Sequence, residues 1–175
     1  ITDPLQRPTH LQYHQYANVD IYTNKNGAVT TYTYDANGNY RASEATVIAK
    51  PLGGTQTVTM SYLYDVYGNK RQYTSPRNFV TTYQYDTHGN LRSKTLPGNG
   101  GTWSYTYDLD NHLTNQTDGR GKETQFIYDT DIAGSLLEVR KKGDPGTPAV
   151  YPPQDYSYDV VTRYEYDFVG NKKKE

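Results

Sequence analysis

The chain has no cysteine in its 175 residues. That excludes a disulfide scaffold and thiolate metal sites; it is compatible with secretion without demanding it. Aliphatic residues are scarce as well. Ile, Leu, Val and Phe together number 29, too few for an ordinary aliphatic core and low enough to raise disorder as a reading. No apolar run approaches the roughly 18 residues that a membrane-spanning helix needs. Ile1 opens no signal-peptide pattern, so any export signal is expected elsewhere. Charge of one sign is missing too. A net charge of −1 and a pI near 6.5 leave no electrostatic footprint for nucleic acid. The basic run Lys172 to Lys174 reads as a solvated tail.

What is abundant is tyrosine, with 20 Tyr beside 23 Thr. Both are strong strand formers, and a net charge near zero does not force the chain apart. The composition therefore points to an all-β structure built on tyrosine.

A repeat runs through the chain, and repeats are best sought before anything else. Four segments align without gaps through a Gly-Asn pair: Tyr32-Thr-Tyr34-Asp35-Ala-Asn-Gly38-Asn39, Tyr62-Leu-Tyr64-Asp65-Val-Tyr-Gly68-Asn69, Tyr83-Gln-Tyr85-Asp86-Thr-His-Gly89-Asn90 and Tyr164-Glu-Tyr166-Asp167-Phe-Val-Gly170-Asn171. Three degenerate copies surround Tyr13, Tyr107 and Tyr128; the Tyr107 copy has Asn111 in the glycine place, and the Tyr128 copy reaches Gly134 two residues late. The base period is 21 to 22 residues, broken by insertions of about 9 and 17 residues as the steps between copies lengthen. The insertions fall in 42–55, with Pro51-Leu-Gly53-Gly54, and in 141–155, with Gly143-Asp-Pro145-Gly146 and Pro152-Pro153. Both are rich in breakers and are expected to be surface loops of a single array over residues 1–175.

Each repeat has a physical reading. Tyr-x-Tyr places two rings on one face of a strand. The tetrad from Asp to Gly is a turn, in which the Asp side chain bonds the backbone two residues on and Gly supplies a positive φ. This predicts a type I turn with a Gly bulge at Asp35/Gly38, Asp65/Gly68, Asp86/Gly89 and Asp167/Gly170. A return strand such as Leu91 to Thr95 follows, and a second turn, as in 97–101 or 118–121, closes the unit. One repeat is a β-hairpin, and tandem hairpins pair into a curved or solenoid-like antiparallel sheet, because a lone hairpin is marginal in water. Tyr34, Tyr64, Tyr85, Tyr107, Tyr128 and Tyr166 are expected on one shared inner face, their hydroxyls bonded to the Asp and Asn of neighbouring turns.

The Tyr-Asp…Gly-Asn pattern at this spacing resembles the YD repeats of the Rhs family. That family includes bacterial Rhs toxins, the C components of Tc toxin complexes, wall-associated bacterial proteins and teneurins. Residues 1–7 resemble its inter-repeat stretch, with Gln6 where Gly is usual. The resemblance implies a sheet that winds into a hollow shell, which in toxin members encloses an effector and in teneurins contributes to adhesion. A closed shell in the family needs many more than about seven repeats. No counterpart of the family's shell-sealing, self-cleaving segment is found, and the chain starts in an inter-repeat stretch and stops within a repeat. It is expected to be part of a longer polypeptide, or a unit whose open ends meet other copies.

Hidden chemistry gets little support. Asp108, Asp110, Asp129 and Asp131 form two Asp-x-Asp pairs, which could serve acid–base catalysis or Ca²⁺, but turn formation explains them. His10, His14, His88 and His112 show no ligand spacing. Residues 97–101 are Gly-rich but lack the Lys-Ser/Thr end of a phosphate loop. Trp103 shares a strand face with Tyr105 and Tyr107 and reads as a packed ring before a sugar platform. Asn115-Gln-Thr117 is a glycosylation sequon, relevant only in a eukaryotic secretory route.

The expected function is structural: a non-catalytic shell-wall module, without cofactor or metal, of an exported extracellular or cell-surface protein. Its partners would be further repeats of its own chain or other copies, with an encapsulated effector or surface glycans as further partners, and neither nucleic acid nor a membrane span. Two alternatives stand beside it, a self-assembling filament joined through open sheet edges and a glycan or cell-surface binding module.

Overall fold

The computed structural model describes residues 8–14, 16–129, 134–143, 159–167 and 171–174. Every regular element among them is a strand. The strands are β1 (His10–Tyr13), β2 (Val19–Thr23), β3 (Val29–Tyr34), β4 (Arg41–Ala49), β5 (Thr55–Tyr64), β6 (Lys70–Thr74), β7 (Val80–Tyr85), β8 (Leu91–Thr95), β9 (Thr102–Tyr107), β10 (Leu113–Thr117), β11 (Glu123–Tyr128), β12 (Leu136–Lys141), β13 (Val160–Arg163), β14 (Glu165–Tyr166) and β15 (Lys172–Lys174). The order β1 to β13 follows the chain in one antiparallel sheet, as tandem hairpins require, while β14 and β15 pair separately. By their internal contacts the residues divide into two compact units, Ile1–Thr82 and Tyr83–Glu175.

In the first unit the registers Tyr32↔Glu44, Glu44↔Met60 and Tyr62↔Tyr73 put Tyr32, Tyr62 and Tyr73 on one face. The other face carries Thr31, Ala45 and Thr59. Burial follows the alternation: in Val29–Tyr34 the Tyr side is buried or half-buried from Thr30 onward, and Thr31 and Thr33 are exposed. Hydroxyl pairs add cross-strand ties, Thr30 to Thr46 at 2.9 Å and Thr33 to Ser43 at 2.7 Å.

In the second unit Tyr105↔Gln116, Gln116↔Thr124 and Phe126↔Val139 define the corresponding face. Thr102–Tyr107 alternates strictly between exposed and half-buried, with Trp103, Tyr105 and Tyr107 half-buried. Beyond the second insertion, β13 returns to β12 under a charge clamp. Glu138, 8% exposed, accepts from Arg140 at 2.8 Å and from Arg163 at 2.9 Å. These two guanidiniums, Arg140 first, hold its carboxyl below the usual range despite its burial.

No apolar side chain is fully buried among the described residues; the buried ones are Thr30, Thr81 and Glu138. The cohesion of each unit rests on half-buried rings, hydroxyl pairs and ladder hydrogen bonds.

One sequence expectation needs correction. Residues 42–55 are not a surface loop. Arg41–Ala49 and Thr55–Tyr64 are long strands paired from Ser43↔Ser61 to Ala49↔Thr55, and only 50–54 is a turn. The breakers Pro51, Gly53 and Gly54 are confined to that turn, and the Thr, Val and Ile residues around it have the strand preference that the breakers obscured. Most of the second insertion, residues 144–155, lies outside the described residues.

Candidate functional site: the aspartate turns and the tyrosine face

The Asp65 and Asp86 turns share one geometry, and the Asp35 turn closes one residue later, its N–H donating to the Tyr40 carbonyl at 2.9 Å. In 65–69 the Asp65 carbonyl accepts from the Gly68 N–H at 3.1 Å, and the Asp65 N–H donates to the Asn69 carbonyl at 2.9 Å. Asp86 with Gly89 and Asn90 repeats this at 3.1 and 2.9 Å. Glycine φ is +72° at Gly38, +88° at Gly68 and +85° at Gly89, the left-handed region that glycine tolerates. The register then shifts between Leu63 and Tyr64, as a bulge beside such a turn requires. Gly170 lies outside the described residues.

The Asp side chain closes each turn from inside. Asp65 Oδ1 accepts from the N–H of Tyr67 and of Asn69, both at 2.9 Å, and Oδ2 accepts from Asn69 Nδ2 at 3.1 Å. Asp86 does the same with His88 and Asn90. Asp35 takes Asn39 and Tyr40, and Asp167 takes Asn171 through both backbone and side chain. Desolvation raises the pKa of Asp65 and Asp86, but the N–H and amide donors outweigh it and hold both carboxyls below the usual range.

The degenerate copy keeps this chemistry with other residues. Asn111 stands in the glycine place at φ +65°, and His112 replaces the closing Asn, its Nδ1 lying 3.1 Å from Asp108 Oδ2. The Asp-x-Asp reading thus resolves into a turn: Asp110 donates its N–H to Asp108 at 3.0 Å. Asp131 lies outside the described residues. Among the described residues no group of three or more His, Cys, Asp or Glu is placed to hold a metal.

Residues 85–122, which contain two of these turns, match the family model described as RHS Repeat. That segment carries an RHS repeat. Solved structures agree at the level of fold. The TcdB2-TccC3 structure without its hypervariable C-terminal region superposes with a TM-score of 0.70 at 17% identity, over 98% of this chain and 9% of that one. The Tc holotoxin pore of Photorhabdus luminescens gives 0.67 at 16% identity, over 94% and 8%. The TcdB2-TccC3-Cdc42 structure gives 0.53 at 15%, over 94% and 11%. The chain thus spans about a tenth of the length of these proteins. No curated protein matches it.

The expected aromatics Tyr34, Tyr64, Tyr85, Tyr107, Tyr128 and Tyr166 are each half-buried. The hydroxyls of Tyr34, Tyr107 and Tyr166 bond to main-chain carbonyls and not to the turn Asp and Asn side chains. Tyr34 donates to the Val19 carbonyl at 2.7 Å, Tyr107 to Leu91 at 3.0 Å and Tyr166 to Leu136 at 3.0 Å. Val19, Leu91 and Leu136 each open a return strand of the preceding hairpin. The physical reason is saturation: each Asp carboxylate is already filled by its own turn. Burial raises the pKa of Tyr64, Tyr107 and Tyr128, so their hydroxyls stay protonated donors at neutral pH.

Three features escape a reading of the sequence. First, the opposite-edge turns have the same build from different residues. Asn24 with Gly27, Lys50 with Gly53, Ser75 with Asn78 and Asp118 with Gly121 each make the same carbonyl-to-N–H bond across three residues. Second, rings from one hairpin lie on the turn glycine of the next. A Cβ on Gly38 would strike Tyr16, one on Gly68 would strike Tyr40, and one on Gly134 would strike His112. Tyr40 also stacks on Tyr64 at 5.0 Å, and His112 on Tyr128 at 4.8 Å. Third, cations cover the first ring of the pair: Arg41 over Tyr32 at 4.3 Å, Lys70 over Tyr62 at 4.9 Å and Lys172 over Tyr164 at 4.3 Å. The signal was present in part, since a basic residue follows each of these Gly-Asn turns by one or two positions. Trp103 carries Lys94 at 4.9 Å in the same manner.

Each unit also holds a groove beside its Asp turns. In the first unit it has a volume of about 590 Å³ and is lined by Asn18, Tyr34, Asn39, Arg41, Tyr62, Tyr64 and Lys70 among others. In the second unit the groove of about 560 Å³ is lined by Asp108, Asp110, His112, Tyr128 and Asp129 among others.

Proposed function

We propose that this Rhs-repeat module is a non-catalytic wall segment of an exported, shell-forming Rhs-type protein. The supporting observation is the chain of hairpins in which every described Asp turn is closed by its own side chain, with the ring or amide of one hairpin laid on the next. Such an array adds length without a terminal core, as a wall requires. The resemblance to shell-forming relatives gives this wall a cargo or effector on one side, and further repeats of its own chain as neighbours. Exposure at the cell surface or outside the cell follows from the same resemblance. Activity in the parent protein would belong to another domain, since a fold by itself carries none.

The test is electron microscopy of the native particle from its source, with intact mass on the same sample. A hollow particle with a mass far above that of this chain supports the wall. Long fibres of near-unit mass replace it with the filament reading, in which the sheet edges are the interface.

A further inference from the structure

We propose that Asn99 is a modification site: the Gly100 nitrogen attacks its side-chain amide and displaces ammonia, which leaves aspartate or isoaspartate at a backbone joint of the sheet. This goes beyond the wall reading and does not rest on it. The chain holds three Asn-Gly pairs, Asn26-Gly27, Asn37-Gly38 and Asn99-Gly100. Glycine after asparagine favours the reaction, because no side chain shields its nitrogen. As sequences the three pairs are near equivalent, and the fold separates them.

The step needs water and no other reagent. The Gly100 nitrogen loses its proton to solvent base and bonds to Asn99 Cγ. The Cγ–Nδ2 bond breaks, ammonia leaves, and a cyclic imide closes. Water then opens the ring at either carbonyl. One product is aspartate. The other is isoaspartate, whose main chain runs through the former side chain and is one methylene longer.

The reaction requires a weakly held glycine N–H, since a bonded N–H is harder to deprotonate and cannot turn toward Cγ. Gly27 donates to the Asn24 carbonyl and Gly38 to the Asp35 carbonyl, both at 2.9 Å. Gly100 donates to the Pro97 carbonyl at 3.3 Å, beyond the ordinary range for such a bond. Asn99 and Gly100 are both exposed, so water reaches them. Gly38 is buried, lies against the Tyr16 ring and has its carbonyl taken by Asn18 Nδ2. Gly27 has open space around it, which places Asn26 between the other two. The order of reaction is therefore Asn99, Asn26, Asn37.

The position gives the reaction a consequence. The Gly100 carbonyl lies where a Cβ on Gly119 would fall, so two backbones meet there without room for another carbon. Isoaspartate at 99 adds a carbon to the main chain beside that contact, whereas aspartate adds only an exposed charge.

The experiment follows the full chain by peptide mapping and mass spectrometry during incubation at mildly alkaline pH, once folded and once in denaturant. Labelling by an isoaspartyl methyltransferase marks the isoaspartate. In the folded chain Asn99 should react about fivefold faster than Asn26, the difference of roughly one hydrogen bond, with Asn37 slowest. In denaturant the three rates should converge. Asn99→Gln should remove the isoaspartate signal from that peptide alone. The aged chain should melt below an Asn99→Asp variant, which carries the charge without the extra carbon. Reaction at Asn26 or Asn37 as fast as at Asn99 in the folded chain overturns the proposal. So does an order that persists in denaturant, or an aged chain that melts with Asn99→Asp, which would mean that the joint is untouched.

Discussion

The two edges of the sheet in the second unit solve the same problem by different means. On the Asp edge, the turns 86–90 and 108–112 meet through side chains, with Asn90 Nδ2 donating to Asn111 Oδ1 at 2.7 Å. On the opposite edge, the turns 96–101 and 118–122 meet through bare backbone. A Cβ on Gly119 would fall on the Gly100 carbonyl, and one on Gly101 would fall on the Gly119 carbonyl. The lesson is that the backbone turn is generic, and what joins one hairpin to the next is local. One edge is joined by polar side chains that can be exchanged. The other is joined by the absence of a side chain.

The sharpest way to break this comparison is to add one carbon to each edge. Gly119→Ala should cost about 3 kcal/mol, because the clash is with backbone that cannot swing aside. Gly89→Ala, at positive φ but with open space around its Cβ position, should cost about 1 kcal/mol. Equal losses in chemical denaturation would remove the distinction between the edges.

In the first unit Gly68→Ala should lie between, at about 2 kcal/mol, from backbone strain plus the loss of the Tyr40–Tyr64 stack. A Gly68→Ala, Tyr40→Ala double-mutant cycle should show coupling; strict additivity would mean that the ring does not depend on the glycine.

Acid should act through the carboxylates. Those of Asp86 and Asp108 are desolvated, but the donors in their turns outweigh this and lower their folded pKa. Each therefore contributes stability that is complete above the unfolded pKa of about 4 and is lost as pH falls through the lowered folded value. The melting temperature should be level at neutral pH and fall below about pH 4. Asp86→Asn should shallow that fall, and a melting temperature unmoved by acid would sink the carboxylate account.

The smallest effects are at the polar joint itself. Asn90→Ala should cost about 1 kcal/mol through the lost amide contacts. Asn111→Gly should relieve left-handed strain, offset by the lost bond to Asn90, for a net change within about 0.5 kcal/mol. A large loss in Asn111→Gly would show the side-chain bridge to outweigh the backbone.

Much of this was legible in the sequence. Tyr-x-Tyr-Asp fixed strand, face and turn at once, because alternation, ring size and the Asp side chain point the same way. The opposite-edge turns were legible only in part: the side-chain oxygens of Asn24, Ser75 and Asp118 accept backbone N–H groups of their own turns, but Asn, Ser and Asp differ as letters, and at Lys50 the backbone makes the turn. The tyrosine hydroxyl partners were misassigned because main-chain acceptors carry no residue signature. The groove cations Arg41 and Lys70 went unread for a related reason. They lie one or two residues past the motif, where a basic residue reads as solvated.

The lengthened hairpin of β4 and β5 carries a consequence for how such chains can change. Its extra residues are shared between two partners that pair to the tip, Val47↔Thr57, Ile48↔Gln56 and Ala49↔Thr55. On the other side of each strand, β3 joins at Thr30↔Thr46 and β6 at Ser61↔Thr74. The addition therefore leaves both neighbouring registers intact and ends in a tip with a fully exposed Leu52. A repeat of this kind can extrude new sequence from its opposite edge in matched increments, two residues at a time, without dephasing the copies on either side. That edge is where variation can accumulate at little cost, and where a foreign epitope could be grafted.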